Sequence, residues 1–264
     1  MARSIFKEYK NTLMDTLSTG ISGDPGIPDG TRVPPRRECL FSYLGLVPYE
    51  LALRLQQMLS SARAEGYVPD ILLLLQHPPV VTTGRFRGKE DMIVPPDMLT
   101  REGIAIFRTN RGGSVTYHGP GQLIGYPILD LKENGLGVRH YIWSLEAVII
   151  RLLLLLGIQG QRVAGYPGVW VGDRKICSIG VNVSRHITTH GFALNVNNEL
   201  RYFQYIRPCG LGSGVMTSVS ELLGHCVDLE TVVTTAIHCF SDTFGLTCEQ
   251  GDDICLAILG ALSG

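Results

Sequence analysis

Residues 111–131 read RGGSVTYHGPGQLIGYPILDL, and the rest of the chain is arranged around them. Gly112, Gly113, Gly119, Gly121 and Gly125, with Pro120 and Pro127, stand beside Arg111, Thr116, His118 and Gln122. Glycine permits positive φ and lets a ligand approach the backbone closely. A basic residue followed by Gly112-Gly113 can present consecutive N–H groups to an anion or a carbonyl oxygen. The alternation SVTYH predicts a short strand and LIGYPILDL a second, buried one. His118-Gly119-Pro120-Gly121 is then a rigid turn between them. A plain structural hairpin is the alternative reading, although it needs only two or three turn residues. The stretch lacks the G-x-x-x-x-G-K-[ST] spacing of a nucleotide P-loop and is no G-x-G-x-x-G opening a helix.

Upstream, CLFSYLG (39–45) reads as a strand and Pro48 opens a helix with Leu51, Leu55, Met58 and Ala62 on one face. ILLLL (71–75) predicts a buried strand, stopped by Pro78-Pro79 before VVTTG starts another. Pro95-Pro96 introduces a helical turn ahead of strand IAIFRT (104–109). Downstream, residues 138–157 predict a helix that Gly157 stops, apolar on most faces and so lying under the sheet. GVWVGDRKICSIGVNVSR (168–185) has the form of a hairpin turning at Gly172-Asp173. THGFALNVN (189–197) is another strand, followed by loop-like sequence to Gly214. Ser218-x-x-Glu221 is a capping-box pattern. Residues 228–244 predict the last helix, with Val232, Ala236, Ile237 and Phe240 inward. Short strands and helices without strict alternation predict an α+β fold, a mixed β-sheet with packed helices.

Residues 1–36 differ from the rest. Ile5, Phe6, Tyr9, Leu13 and Leu17 can form one amphipathic helix, and a Gly/Pro/Asp linker follows. The segment reads as a poorly ordered extension, with one domain over residues 37–264. The chain has 264 residues, 45% hydrophobic and 18% charged, with a net charge of −1. That balance is globular and gives no global basic field for nucleic acid. The longest apolar run, around 148–158, is broken by Arg151 and too short to span a bilayer. The first thirty residues hold no apolar secretory core. Seven cysteines without a C-x-x-C pair then point to reduced thiols and a cytoplasmic setting.

Cys209 lies in the loop Arg207-Pro208-Cys209-Gly210, where catalytic groups often sit. Its thiolate would be the nucleophile. Cys39, Cys177, Cys226, Cys239, Cys248 and Cys255 fit the pattern of inert small hydrophobes. His118 or His190 can in principle complete a Cys–His arrangement, though nothing in the sequence pairs either with Cys209. Lys175 falls within a strand, and alternation points Lys175, Cys177 and Ile179 to one face. The ordinary alternative is a lysine at a sheet edge, reaching to water. His186 and His190 have H-x-x-x-H spacing, but the residues between them are β-branched and no Cys/His quartet is present, so no metal is expected.

Taken together, QHPPVVTTGR (76–85), RGGSVTYHGPGQLIGYPILDL (111–131), GVWVGDRKICSIGV (168–181), HGFALNVN (190–197), RPCG (207–210) and MTSV (216–219) resemble the lipoyl(octanoyl) transferases. The blocks run in the family's order across residues 38–245. The resemblance implies the catalytic-domain fold of the biotin/lipoate protein ligases and no cofactor. It implies transfer of an octanoyl group from acyl carrier protein to a lysine of lipoyl domains, in 2-oxoacid dehydrogenase complexes and the glycine cleavage H protein. A cysteine thioester would be the intermediate, on a monomeric enzyme that binds neither nucleic acid nor membrane. By position Cys209 is the acyl-accepting cysteine and Lys175 the lysine that lowers its pKa. The implied substrate contacts are Arg111, Gly112, Gly113, Ser114, Val115, Thr116, Tyr117 and His118, then Ser178, Ile179 and Gly180, then Gly191, Phe192 and Ala193.

An ammonium beside a thiol stabilises the thiolate. A drop of about two pKa units raises the thiolate population roughly 25-fold at pH 7. Nucleophilicity falls with pKa and removes about 6- to 10-fold of that gain. A net factor of about three is a weak reason for Lys175, so a second role follows: moving the proton of the incoming amine or donating to the oxyanion. Backbone amides near 112–113 and 178–180 are further candidate oxyanion donors. An ATP-dependent lipoate or biotin ligase is the alternative enzyme, and it would need no nucleophilic cysteine. A non-catalytic acyl-carrier-binding module would need neither Lys175 nor Cys209.

Overall fold

The computed structural model describes residues 37–85, 89–207 and 215–263. The strands are β1 (Arg37–Leu46), β2 (Asp70–Gln76), β3 (Val80–Thr83), β4 (Ala105–Arg108), β5 (Val115–His118), β6 (Gln122–Ile128), β7 (Gln161–Val163), β8 (Tyr166–Val171), β9 (Arg174–Ser184), β10 (Ile187–Asn195) and β11 (Leu246–Gln250). The helices are α1 (Tyr49–Ala64), α2 (Pro96–Arg101), α3 (Val138–Leu155), α4 (Val219–Leu223), α5 (Leu229–Phe244) and α6 (Asp252–Ser263). Eight strands form one sheet in the order β11-β1-β2-β6-β10-β9-β8-β7, and β4-β3-β5 form a second. β1 runs parallel to β2 and β11, while the ladder from β2 through β6, β10, β9 and β8 to β7 is antiparallel. The sheet is therefore mixed and the class α+β, as the sequence predicts.

The run 71–75 shows why the sheet has two cores. Strand side chains alternate between faces. Leu72 and Leu74 join α3 and α5 on one face, while Ile71, Leu73 and Leu75 join α1 and α6 on the other. A continuous apolar run fits a strand with both faces covered. Each such side chain contributes up to about 1.5–3 kcal/mol on burial. β6 divides the same way, with Leu123 on the first face and Ile124, Tyr126 and Ile128 on the second.

Several expectations hold. Gly172-Asp173 joins β8 to β9 with Val171 opposite Arg174 and Gly172 at φ +60°. Ser218 Oγ accepts from the Glu221 N–H at the start of α4. Asp228 caps α5, and Gly245 ends it in the left-handed conformation. α3 packs Tyr141, Leu145, Val148, Ile149, Leu152 and Leu153 against the sheet, but its outer face is open at Trp143, Leu154 and Leu155.

One alternative reading and one expectation are corrected. β5 and β6 form no hairpin: β5 pairs with β3 in the small sheet, and β6 lies between β2 and β10 in the large one. Their connecting turn carries the chain from one sheet to the other. Gly121 is at φ +85° there, and a Cβ would stand 2.8 Å from the Asn197 carbonyl carbon, so only glycine fits. Second, α5 is not the last element, since β11 adds to the edge of β1 and α6 packs on the opposite face. β11 reads LTCEQ, with Leu246 and Cys248 turned inward and Thr247 and Glu249 exposed, an alternation too short to stand out in the sequence. The short edge strand β7 also went unpredicted. Residues 1–36, with the amphipathic pattern from Ile5 to Leu17, lie outside the described residues.

Candidate functional site

The small sheet faces the middle of the large one across a narrow cleft. One wall comes from Arg111, residues 113–116 and His118; the other from Lys175 and residues 178–180 of β9 with residues 191–193 of β10. Sequence blocks far apart in the chain thus meet because β9 and β10 are neighbours, with Gly180 opposite Gly191 and Ser178 opposite Ala193. Tyr49 of α1, Tyr126 of β6 and His190 of β10 close the cleft. The sequence assigned Tyr49 and Tyr126 no role; no local pattern marks an aromatic residue whose neighbours come from other elements.

Two of the expected contact residues do not line the cleft. Tyr117 stands between Thr116 and His118 on β5, so alternation turns it away, into a core with Tyr202 and Phe203 at ring distances of 5.0 and 5.6 Å. Gly112 closes its loop onto β9 by donating its N–H to the Val181 carbonyl at 2.9 Å. That amide is engaged and is not free to hold an oxyanion.

Lys175 is not at a sheet edge reaching to water. It is 3% exposed. Its Nζ donates to the Pro167 carbonyl at 2.8 Å and lies 5.5 Å from the centre of the Trp170 ring. Gly168 leaves room for it: a Cβ there, at φ +128°, would stand 2.6 Å from Lys175 Cε. The Gly168 N–H in turn donates to Glu146 Oε1 of α3 at 3.0 Å, and Glu146 accepts from Arg162 Nε at 2.9 Å. Helix α3 therefore fixes the strand that holds the lysine.

A bulge corrects the expected alignment of Lys175, Cys177 and Ile179. Trp170 lies opposite Lys175 and Val169 opposite Cys177, so Ile176 is an extra residue on β9. Such a residue breaks the alternation. Cys177 and Ile179 still share a face and both pack on the core beneath α3, Ile179 reaching the cleft as well, while Lys175 is parted from them and lines the cleft. Burial pushes the Cys177 thiol up to about 12, against the attraction of Lys175 for a thiolate.

Cys209 lies outside the described residues. The chain on either side is held. The Arg207 N–H donates to the Asp91 carbonyl at 2.7 Å. On the far side, Val215 and Thr217 run alongside Lys175: its N–H donates to the Val215 carbonyl at 2.6 Å, and the Thr217 N–H donates to its carbonyl at 2.9 Å.

Behind the cleft a buried polar relay links the two sheets, and its proton directions are fixed by chemistry. Arg111 can only donate, and gives hydrogen bonds to Thr82 Oγ1 at 2.9 Å and Thr82 O at 2.7 Å. The Thr82 hydroxyl is then directed to His118 Nε2, 3.4 Å away. His118 Nδ1–H donates to Gln122 Oε1 at 2.8 Å, Gln122 Nε2 to Asn195 Oδ1 at 2.9 Å, and Asn195 Nδ2 to the Thr217 carbonyl at 2.9 Å. Burial holds His118 well below its ordinary pKa, with His77 and Arg111 adding repulsion, so its ring is neutral. Both of its nitrogens are engaged, and it offers no lone pair to a thiol. His77 is likewise closed off, Nδ1–H donating to the Val47 carbonyl at 2.7 Å and Nε2 accepting from the Tyr126 hydroxyl at 2.8 Å. Among the described residues no group of three or more His, Cys, Asp or Glu could hold a metal ion. Among them too, no helix is long and apolar enough to cross a membrane.

Residues 48–241 match the lipoyl protein ligase A/B catalytic domain. The chain belongs to that family. Within it, an octanoyltransferase from Solibacter usitatus is 52% identical over 186 residues, covering 70% of this chain and 84% of that protein. One from Caldicellulosiruptor saccharolyticus is 48% identical over 206 residues, covering 77% and 87%. The lipoyl protein ligase fold extends to more distant structures. A lipoate-protein ligase A bound with ATP superposes with a TM-score of 0.67 at 16% identity, over 86% of this chain and 94% of that one. A Thermoplasma acidophilum protein described as a putative lipoate protein ligase with bound lipoic acid gives 0.66, also at 16% identity, over 86% and 94%.

Proposed function

We propose that this chain, an octanoyltransferase of protein lipoylation, works through a covalent thioester on Cys209. The thiolate of Cys209 attacks the thioester carbonyl of octanoyl-acyl carrier protein. The carbon–sulfur bond to the carrier breaks, and the carrier leaves as its thiolate. A lysine amine of a lipoyl domain then attacks the new thioester. The amide forms, Cys209 leaves as thiolate, and the amine's surplus proton is taken up. Acceptors are lipoyl domains of 2-oxoacid dehydrogenase complexes and the glycine cleavage H protein.

One observation supports this reading above the others. The segment carrying Cys209 is tied at one end to Asp91 and at the other to the backbone of Lys175 itself, whose buried head group faces the same cleft. A buried lysine beside a cysteine would serve both thiolate stabilisation and proton transfer at the departing sulfur. An ATP-dependent ligase would use the same fold without the cysteine. Incubation with octanoyl-acyl carrier protein and no ATP separates the two. The transferase gains a hydroxylamine-labile octanoyl mass that peptide mapping locates on Cys209. No adduct without ATP, with acyl-adenylate formed on adding it, would favour the ligase.

A further inference from the structure

His190 combines three features that no step of the proposed reaction uses. It sits in strand β10 at φ +57°, a left-handed conformation that costs a non-glycine residue of order 1–3 kcal/mol. The strain is held in place. Its backbone N–H donates to Gln56 Oε1 of α1 at 2.7 Å, and its ring meets Asn110 Oδ1 through Nε2 at 2.7 Å. A carboxamide oxygen only accepts, so Nε2 carries the proton. Nδ1 is left as a lone-pair acceptor, and it is buried with no partner among the described residues. The ring is 1% exposed and forms part of the cleft wall. Burial, with Arg111 and Arg85 adding repulsion, lowers its pKa to about 3 and keeps Nδ1 unprotonated at neutral pH. Thr116 Oγ1, on the other wall, is a second cleft side-chain atom without a partner among the described residues. Buried polar atoms without partners are rare in folded proteins and call for an explanation.

Position says which part of a substrate meets His190. Lys175 Nζ is held at Pro167, beside β8, while His190 is on β10 with β9 between them. Two strand spacings across the sheet and a two-residue offset along it separate them by roughly 12 Å. An extended eight-carbon acyl chain with its carbonyl at Lys175 ends at that distance.

We infer that His190 Nδ1 is a specificity-determining acceptor for the ω end of the acyl chain, and that the cleft takes medium-chain acyl groups bearing a terminal hydroxyl as well as methyl-ended ones. The inference rests on the acyl-transfer reading of the cleft. The hydroxyl donates to Nδ1, where an apolar tunnel would leave it unpaired.

Octanoyl- and 8-hydroxyoctanoyl-pantetheine serve as the paired donors, with the wild-type enzyme and His190→Phe compared by kcat/KM. In the wild type the two donors fall within about threefold. In His190→Phe the hydroxylated donor falls behind by on the order of 10- to 100-fold, the effect of a buried hydroxyl without a partner. A wild type that rejects the hydroxylated donor as strongly as the variant does overturns the inference. Because a substitution at a left-handed position can fail to fold, a second measurement uses the wild type alone. In its ¹⁵N spectrum, 8-hydroxyoctanoate shifts the His190 Nδ1 resonance and octanoate does not; an unmoved Nδ1 also overturns the inference. These free acids need no transfer step. Failure of both thioesters to react would count against the transferase reading, while Nδ1 would still decide the role of His190.

Discussion

Lys175 Nζ donates a 2.8 Å hydrogen bond to the Pro167 carbonyl. That bond ties a lysine of the cleft wall to the entry of β8, beside a glycine that α3 holds through Glu146. The lysine's head group is positioned by one strand, and its backbone clasps the segment that follows Cys209. This relationship carries the first two predictions.

Lys175→Ala should reduce kcat by at least roughly 10²-fold, the low end for general acid–base roles. Loss of thiolate stabilisation alone would give only about threefold at pH 7. Steady-state rates across pH make the comparison. A loss under about tenfold with an unchanged profile would reduce Lys175 to a structural residue.

Gly168→Ala should displace the lysine without touching it chemically. The new Cβ would meet the Cys177 carbonyl oxygen at 2.3 Å and Lys175 Cε at 2.6 Å, at a φ of +128° that side chains rarely adopt, so the β8–β9 backbone must shift along with the lysine. Stability should fall by about 1–3 kcal/mol, and kcat by tenfold or more as the head group shifts. Thermal melts and rates measured together test it. Parent-like values of both would show that Gly168 leaves Lys175 unconstrained.

Cys209→Ser should abolish turnover and remove the hydroxylamine-labile adduct. Intact mass and circular dichroism on the same sample distinguish chemistry from folding. Continued turnover through an adduct on Cys177 would refute the assignment, and the complete burial of Cys177 argues against that outcome.

Donor chain length should matter. Each CH₂ buried contributes about 0.8 kcal/mol, so each carbon removed should cost roughly fourfold. Octanoyl should outpace hexanoyl by about an order of magnitude in kcat/KM. Equal rates for butanoyl, hexanoyl and octanoyl thioesters would exclude a length-matched cleft.

Stability should decline with acid. Burial lowers His77 to about 4, although its bond to the Val47 carbonyl opposes this. The unfolded chain, with an ordinary histidine near 6.5, therefore takes up the proton first. His77 has its full effect above about pH 6.5, and stability is lost as pH falls toward 4, by up to about 3 kcal/mol. His190 acts with the same sign. Urea midpoints between pH 7 and 4 should fall, and more shallowly in His77→Gln; equal slopes would mean that His77 is not what titrates.

Much of this architecture was legible in the chain. ILLLL read as a buried strand, and Gly172-Asp173 between apolar runs made one hairpin. Ser218 and Asp228 announced helices, and the motif blocks carried the family. These are local signals, in which propensity, periodicity and turn chemistry act within a few residues of one another. Tertiary structure decided the rest. It sent β5 and β6 to different sheets, turned Tyr117 away from the cleft and put an extra residue at Ile176, parting Lys175 from Cys177. It also brought Tyr49, Tyr126 and the strained His190 to one end of the cleft, and supplied Lys175 with its carbonyl partner. Each of these outcomes depends on which strands lie side by side. Strand order is set by burying two faces of a sheet at once, through contacts between residues far apart in sequence, and no short stretch of sequence contains that information.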